Sequence, residues 1–252
     1  WIGTFYPSKL PRKFWLRYYI SIFKALELNT TFYAIPTKER MSKIVQPLSE
    51  NFELIIKIPQ SITHKYPSEA KLKSELKQFM ESISPALEKG ITKGFLFQFP
   101  VSFLPSDYNR KFLSYLLYSF DGVKFIEFRN KLWHTDETLE LLKKFDAGWV
   151  IPDVPDIDEL TKPKSVLLGS TGYIRLHGRN KQDWYSSDKD RYNYSYSNDE
   201  LDWLIDLAQN IVKKGADKIF IFFNNCHMGN AARNAMKFCE KLGIYIPQKK
   251  LF

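Results

Sequence analysis

Residues 219–235 read IFIFFNNCHMGNAARNA, and this stretch contains the repeating unit from which the whole fold is predicted. Its first five residues are apolar and rich in Ile and Phe, as is typical of a buried parallel strand. Asn224 and Asn225 follow at once, and Gly229 then leads into a helical pattern at residues 230–242. A strand that ends in polar residues and continues into a helix is one βα unit of an α/β fold.

The same alternation of strand and helix runs along the chain. Short runs rich in Ile, Phe and Val predict strands at residues 25–29, 53–58, 94–99, 123–128, 148–151, 173–177 and 218–223. Apolar residues spaced by three and four predict helices at residues 11–23, 38–48, 68–89, 106–119, 135–145, 197–214 and 230–242. Ser197 and Glu200 predict a capping box at one helix start, and Pro85 predicts a bend in another helix.

These βα units show no break in composition, which predicts a single α/β domain over residues 1–252. The chain starts with a helix, so one more strand before Trp1 would complete eight units. We therefore expect a TIM-type (β/α)8 barrel whose first strand is missing from the given chain. The alternative, an open doubly wound sheet, is disfavoured because no Gly-rich phosphate loop follows a strand. The long irregular stretch at residues 178–196 predicts a functional or mobile loop.

Composition narrows the classes of partner. The chain has 252 residues, of which 44% are hydrophobic and 16% aromatic, enough for a sizeable core, and its net charge of +9 favours an anionic small molecule or nucleic acid as partner. A lysine-rich solvated surface is the alternative explanation of the charge. No apolar run is long enough to span a membrane, which predicts no membrane partner. Cys226 and Cys239 form no CxxC pair, so a reducing cytoplasm fits best, and the oligomeric state stays open.

Polar residues stand at the carboxyl ends of the predicted strands, where a parallel barrel collects its active-site groups. Residues two apart on a strand share a face, so Glu127 lies with Arg129, and Arg175 lies with His177. Buried polar side chains cost free energy unless they are paired. The pattern therefore predicts either an internal ion-pair network or a ligand site, and convergence of the whole set on one rim favours the site.

Five stretches occur in a fixed order along the chain: LELNTTFYAIP at 26–36, FLFQFP at 95–100, FIEFRNKLW at 125–133, YIRLHGRN at 173–180 and FNNCHMGNAARNA at 223–235. Together they resemble the YecE-like family, known as domain of unknown function 72, over essentially the whole chain. The resemblance implies a TIM-barrel-type fold and no established biochemical activity. Family members usually begin with a strand and a Gly-Thr-Ser-Gly-Tyr-like turn, which is absent here.

The leading hypothesis is a pocket at the carboxyl-end rim that favours a phosphate-bearing ligand, with nucleic acid as one candidate and hydrolysis of a phosphate ester as the reaction. The helix predicted at residues 230–242 would turn free N–H groups towards the anion. The predicted catalytic residues are Glu127, Arg129, Arg175 and His177. The predicted ligand-binding residues are Glu27, Asn29, Lys57, Gln98, Trp133, Asp153, Asn224, Asn225 and Asn230. Tyrosines in residues 178–196 would stack on bases or pack as a lid on the rim.

Three alternatives stay open. A glycoside hydrolase would use Glu27 and Glu127 as paired carboxylates, with Trp133 and Trp184 stacked on sugar rings. A metal centre would draw on carboxylates and on His177 and His227, but no HxH or HExxH spacing supports it, so neither a metal nor a cofactor is predicted. A protein that binds its ligand without turnover would need only the same rim.

Overall fold

The computed structural model of the chain describes residues 1–186 and 188–244. Within them, seven strands form: β1 (Ala25–Leu28), β2 (Glu53–Lys57), β3 (Thr92–Phe99), β4 (Lys124–Phe128), β5 (Ala147–Asp153), β6 (Thr171–Leu176) and β7 (Lys218–Phe223). The helices of the same residues are α1 (Trp15–Ile22), α2 (Thr30–Tyr33), α3 (Lys38–Val45), α4 (Gln60–Thr63), α5 (Glu69–Glu88), α6 (Asp107–Ser119), α7 (Asp136–Lys144), α8 (Asp188–Arg191), α9 (Asn198–Lys213) and α10 (Asn230–Lys241).

The strands form a parallel sheet in the order β1 to β7, so every strand pairs with its neighbour in sequence. Parallel strands in chain order, with helices in most connections, are the arrangement of a TIM-type barrel. The predicted α/β fold class is therefore confirmed. The predicted strands begin and end within three residues of the observed ones, and β7 matches its predicted bounds. A further strand before Trp1 stays a prediction.

Contacts divide the chain into two compact units, which are described separately. The central unit is Lys24–Trp149, and the terminal unit is Trp1–Phe23 together with Val150–Phe252. The prediction of a single domain over residues 1–252 stays a prediction, and its residues 187 and 245–252 lie outside the described part of the chain.

The central unit is built on β1 to β4 and the first residues of β5. Three of its helices start after a side chain that accepts a free N–H of the first turn: Thr37 before α3, Ser106 before α6 and Thr135 before α7. The prediction that the helix beginning at Lys38 extends to residue 48 is wrong, because α3 ends at Val45. The physical reason is Pro47, which has no N–H to continue the helical hydrogen bonds.

Helix α5 runs from Glu69 to Glu88 and includes Pro85, so the proline does not end the helix. The bend predicted at this residue stays a prediction. In the terminal unit, α9 begins with the predicted capping box: the Ser197 side chain accepts from the Glu200 backbone N–H, and the Glu200 side chain accepts from the Ser197 N–H. This prediction is confirmed.

The terminal unit holds α1, the end of β5, strands β6 and β7 and helices α8 to α10. A short helix, α8, lies inside the stretch predicted to be irregular at residues 178–196. Before α10, Met228 and Gly229 have positive φ angles of 46° and 80°, which turn the chain sharply from β7 into the helix. Among the residues that the structure describes, none of the helices is both long enough and apolar enough to cross a membrane.

Candidate functional site

In the central unit, three adjacent strands bring buried polar side chains to one end of the sheet. Lys57 is the last residue of β2, and its Nζ donates to Gln98 Oε1 on β3 at 3.0 Å. Gln98 pairs in register with Glu127 on β4. Lys57 is 8% exposed, Gln98 7% and Glu127 0%. The structure therefore brings together three of the residues predicted from the strand ends.

Glu127 and Arg129 form a buried ion pair, in which Arg129 Nε donates to Glu127 Oε1. The sequence predicted that these two residues share a face, and the pair confirms it. Arg129 therefore has the carboxylate partner that the alternative of an internal ion-pair network predicts. On the first strand, Glu27 is also buried and accepts a hydrogen bond from Asn29 Nδ2 at 2.9 Å. An amide that holds a carboxylate in this way fixes its orientation.

His64, which the sequence analysis gave no role, faces the same cations. Burial, and after it the positive charges of Lys57 and Arg129, lower the pKa of the His64 imidazole from 6.5 to about 4. The Phe32 ring lies against both groups, with its centre 3.8 Å from Lys57 Nζ and 5.0 Å from the His64 ring centre. The imidazole is therefore neutral at neutral pH and lies in a positive field.

The tertiary fold, rather than a strand end, places His64. Its Nδ1 lies 2.9 Å from the hydroxyl of Thr63, at the end of α4. Strand periodicity cannot indicate such a residue, because it follows a helical turn in the connection between β2 and α5. The only local signal was a histidine beside a lysine, Lys65, in that connection.

Trp133 packs as a core residue. It is fully buried, stacks on Phe103 and Phe128 and donates its indole N–H to the Phe103 carbonyl at 2.5 Å. This packing explains the tryptophan without a ligand, and its predicted contact with a ligand gains no support.

In the terminal unit, Asp153 is the last residue of β5 and is 1% exposed. Arg179 Nε donates to both of its carboxylate oxygens at 3.0 Å, and the Tyr196 hydroxyl donates to Oδ2 at 2.6 Å. Burial raises the pKa of the Asp153 carboxyl, against the opposing effect of Arg179 and Tyr196. Arg179 also pairs with Glu200 at 3.1 Å. Asp153 thus fastens both ends of the 178–196 stretch to the sheet.

Two of the predicted catalytic residues, Arg175 and His177, lie at the end of β6 in the same unit. They are 3% and 1% exposed. The backbone of His177 is fixed by a hydrogen bond from its N–H to the Asp153 carbonyl at 2.9 Å. The next N–H, that of Gly178, donates to the Tyr196 hydroxyl at 3.0 Å. The position of His177 therefore depends on the Asp153 cluster.

Of the two asparagines after β7, Asn225 holds the chain through its Nδ2. Its Oδ1 and the Asn224 Nδ2 are buried and have no hydrogen-bond partner among the described residues. Asn225 Nδ2 donates to the Tyr194 carbonyl at 2.9 Å and to Asn234 Oδ1 at 2.8 Å. Asn234, which the sequence analysis missed, in turn donates to the Tyr196 carbonyl at 3.0 Å. Asn225 thus orients its neighbours through the two donors of its amide.

The other aromatic and polar residues that were predicted to contact a ligand in this unit differ in their burial and hydrogen bonds. Trp184 and Tyr196 are buried at 3% exposure, which favours packing over base stacking. Tyr185 is 55% exposed. Asn230, the first residue of α10, accepts a hydrogen bond from Arg233 through its side chain. Asn224 is half-buried, and its backbone N–H donates to the Leu176 carbonyl at 2.7 Å.

Known proteins share this architecture along the chain. The family model described as "Protein of unknown function DUF72" matches residues 1–250. The chain belongs to the DUF72 family. It is 31% identical to the UPF0759 protein YunF of Bacillus subtilis (strain 168), over 96% of this chain and 91% of YunF. The crystal structure of a DUF72 family protein from Thermotoga maritima MSB8 matches with a TM-score of 0.89 and 32% identity, over 96% of this chain and 94% of that one.

A second solved relative, a DUF72 family protein from Enterococcus faecalis V583, matches with a TM-score of 0.83 and 27% identity, over 94% of this chain and 92% of that one. The predicted resemblance is therefore confirmed, and with it the TIM-type fold. The names of these relatives state a family and no activity.

Charge and metal-binding groups further characterise this DUF72 chain. In its described residues, no group of three or more His, Cys, Asp and Glu side chains is placed to hold a metal ion. The connections after β1 to β4, at residues 29–37, 58–68, 100–106 and 129–135, contain Lys65, Arg129 and Lys131 but no Asp or Glu. The connections of the terminal unit, in contrast, mix both signs.

Proposed function

We propose that this DUF72 protein binds a phosphate-bearing ligand at the carboxyl ends of β1 to β4 in the central unit and hydrolyses a phosphate ester there. One observation carries the proposal: buried Lys57, at the end of β2, and buried Arg129, directly after β4, lie at the same end of the sheet, and the Phe32 ring lies against both Lys57 Nζ and the His64 ring. Lys57 adds positive potential beside the half-buried imidazole, and the charge of Arg129 is partly offset by Glu127. An anion placed there gains more than it would in water, because the surroundings are poorly solvated.

The connections around this region add to its positive character, since they supply Lys65 and Lys131 and no carboxylate. Of the acidic residues nearby, Glu127 is paired with Arg129 and Glu27 accepts from Asn29, while others such as Glu69 and Asp136 lie in the first turns of helices. There they interact favourably with the helix dipole. A phosphate group matches this arrangement, because lysine and arginine give it short, charge-assisted hydrogen bonds.

In the proposed hydrolysis, polar side chains of the central unit have separate roles. The neutral His64 imidazole accepts a proton from water as the water oxygen bonds to phosphorus and the ester P–O bond breaks. The imidazolium then gives that proton to the leaving alkoxide. Lys57 and Arg129 stabilise the negative charge that grows on the phosphoryl oxygens. Glu127 holds the Arg129 guanidinium in place. The predicted roles of Arg175 and His177, which belong to the terminal unit, stay predictions.

The glycoside hydrolase alternative fits less well. Glu127 accepts a hydrogen bond from Arg129 and Glu27 accepts one from Asn29. A carboxylate beside a cation keeps its charge and is a poor proton donor, while a glycosidase needs one of the pair as an acid. A protein that binds without turnover would use the same cations as the hydrolase, so only turnover measurements separate those two.

The test measures binding of inorganic phosphate by calorimetry at low salt and turnover of p-nitrophenyl phosphate and bis-p-nitrophenyl phosphate. Lys57→Met, which keeps the volume and removes the charge, is expected to weaken phosphate binding about 10-fold or more. The matched control is Lys24→Met, at an exposed lysine before the amino end of β1, and it should bind as the parent protein does. His64→Gln should retain binding and lose turnover.

Circular dichroism is used to check that each variant is folded. Absence of phosphate binding by the parent protein at low salt, or equal loss in Lys57→Met and Lys24→Met, contradicts the proposed site. Binding without turnover of either ester supports the non-catalytic alternative and removes the hydrolase.

A further inference from the structure

Four large hydrophobic side chains of the central unit are exposed at its βα connections. Tyr33 is 68% exposed, Leu104 47%, Tyr108 65% and Leu132 51%. Tyr33 ends α2 directly after β1, Leu104 follows β3, Tyr108 lies in the first turn of α6, and Leu132 follows β4. All four therefore belong to the carboxyl end of the sheet, the end at which Lys57, Gln98 and Glu127 are buried.

The backbone that carries these side chains is firmly held. Asn130 Oδ1 accepts from the Leu132 N–H at 2.9 Å, and Asn130 Nδ2 donates to the Val101 carbonyl at 2.8 Å, which ties two connections together. Asn109 Nδ2 donates to the Leu104 carbonyl at 2.8 Å. Exposed side chains such as Leu104 and Leu132, on a fixed backbone, lose little conformational freedom when a partner packs on them.

Charge decides what kind of partner fits. Tyr33, Leu104 and Leu132 lie in connections that carry Lys65, Arg129 and Lys131 and no Asp or Glu. Tyr108 lies in α6, directly after Asp107. A partner here must therefore combine flat apolar faces with repeated negative charges. Unpaired nucleic-acid bases joined by phosphates have this combination, whereas a duplex keeps its base faces stacked inside.

We propose that the carboxyl end of the central unit binds single-stranded nucleic acid, with bases stacked on Tyr33 and Tyr108 and phosphates near Lys65 and Lys131. The inference rests on the proposed function, since it names a nucleic-acid strand as the phosphate-bearing ligand. From β1 to β4 the sheet edge measures three strand spacings, about 14 Å. That width allows a strand to contact Tyr33 and Tyr108 together.

Fluorescence anisotropy of a labelled 12-nucleotide oligothymidylate, with the full chain at low salt, tests the inference. Tyr33→Ala and Tyr108→Ala are each expected to weaken binding about 5-fold or more, because each removes one stacking face. The matched control is Tyr118→Ala. Tyr118 is 80% exposed but lies in the last turn of α6, at the far end from Tyr108. The Tyr118→Ala variant should therefore bind the oligothymidylate with unchanged affinity.

A second arm measures the dependence of affinity on salt. Lys65→Ala and Lys131→Ala should each reduce the slope of log affinity against log salt by about 0.7, while Lys24→Ala should not. Tyr33→Phe keeps the ring and should restore binding relative to Tyr33→Ala.

Equal affinity for a 12-base-pair duplex, or equal loss in Tyr108→Ala and Tyr118→Ala, overturns the inference. The proposed function fails separately: if inorganic phosphate binds and depends on Lys57 while the oligothymidylate does not bind, the phosphate site stands and the strand is ruled out. If the oligothymidylate binds through Tyr33 and Tyr108 and Lys57→Met has no effect on phosphate, the surface stands and the buried site does not.

Discussion

Lys57 in the central unit and Asp153 in the terminal unit occupy comparable positions, since each is the last residue of its strand and each is almost fully buried. Their contacts differ. Asp153 meets Arg179 and Tyr196, both from the stretch that follows the next strand. Lys57 donates to the amide of Gln98 and lies over the ring of Phe32.

The difference separates two uses of a buried charge. Around Asp153 the neighbouring groups lock a long connection to the sheet, because the carboxylate receives hydrogen bonds from residues 17 positions apart in sequence, Arg179 and Tyr196. Around Lys57 the arrangement includes a histidine whose pKa the cation helps to lower. We infer that the Asp153 cluster serves stability and that the Lys57 cluster serves binding.

The largest expected effect is the loss of stability in Asp153→Ala. Removal of the carboxylate leaves the half-buried Arg179 and the buried Tyr196 hydroxyl without their shared acceptor, and we expect the free energy of unfolding to fall by about 3 kcal/mol. Urea unfolding followed by circular dichroism measures it. Asp156→Ala is the control, because the Asp156 pair with Lys162 is 78% exposed on both sides. That variant should unfold as the parent does, and an equal loss in both would contradict the role of Asp153 as a lock.

A smaller effect is expected for Tyr196→Phe, which removes one hydroxyl and keeps the ring. This hydroxyl donates to Asp153 and accepts from the Gly178 N–H. We expect a loss of about 1–2 kcal/mol in the free energy of unfolding, since two buried groups lose a partner. Hydrogen exchange at the Gly178 amide should also become faster.

The matched control is Tyr185→Phe, at an exposed tyrosine whose hydroxyl donates to Glu159 at 2.6 Å. It should change neither the free energy of unfolding nor the exchange of Gly178. If Gly178 exchanges at the same rate in Tyr196→Phe and in the parent protein, the hydroxyl does not hold the connection.

The sequence predicted the fold because strand and helix periods are local. The run at residues 218–223 matches β7, and the capping box of Ser197 and Glu200 is present. It also predicted that Glu127 and Arg129 share a face, since that follows from the alternation of side chains in a strand. The helix at Lys38 was predicted too long because Pro47, after α3, has no N–H to continue the helical hydrogen bonds.

The candidate site was less predictable, because its residues meet through the fold. Asn234 lies on a helix and contacts Tyr196, 38 positions away. His64 lies beyond a short helix, and burial and the charges of Lys57 and Arg129 lower the pKa of its imidazole. Trp133 reads as a ligand-stacking residue beside a strand end, whereas the structure packs it in the core. Periodicity reports which face a residue occupies but not which distant residue it meets.

The last expected effect concerns pH and tests the comparison in the central unit. The pKa of His64 in the folded protein, about 4, lies below its ordinary value of 6.5. The unfolded chain therefore binds a proton first as the pH falls. The stability associated with neutral His64 is fully present above pH 6.5 and decreases as the pH falls from 6.5 towards 4. Unfolding of the parent protein and of His64→Gln across this range measures the difference, and the variant should show the shallower decline.

Phosphate adds the decisive control for this titration. An anion beside Lys57 and Arg129 offsets their charges at the imidazole, so saturating phosphate should raise the pKa of His64 above about 4. NMR of the His64 ring protons follows the midpoint with and without phosphate. In Lys57→Met the midpoint should already be higher without phosphate, because one of the two cations that lower it is gone. A midpoint that moves neither with phosphate nor in Lys57→Met would mean that burial alone sets the pKa, and the contrast between a binding cluster and a structural one would fail.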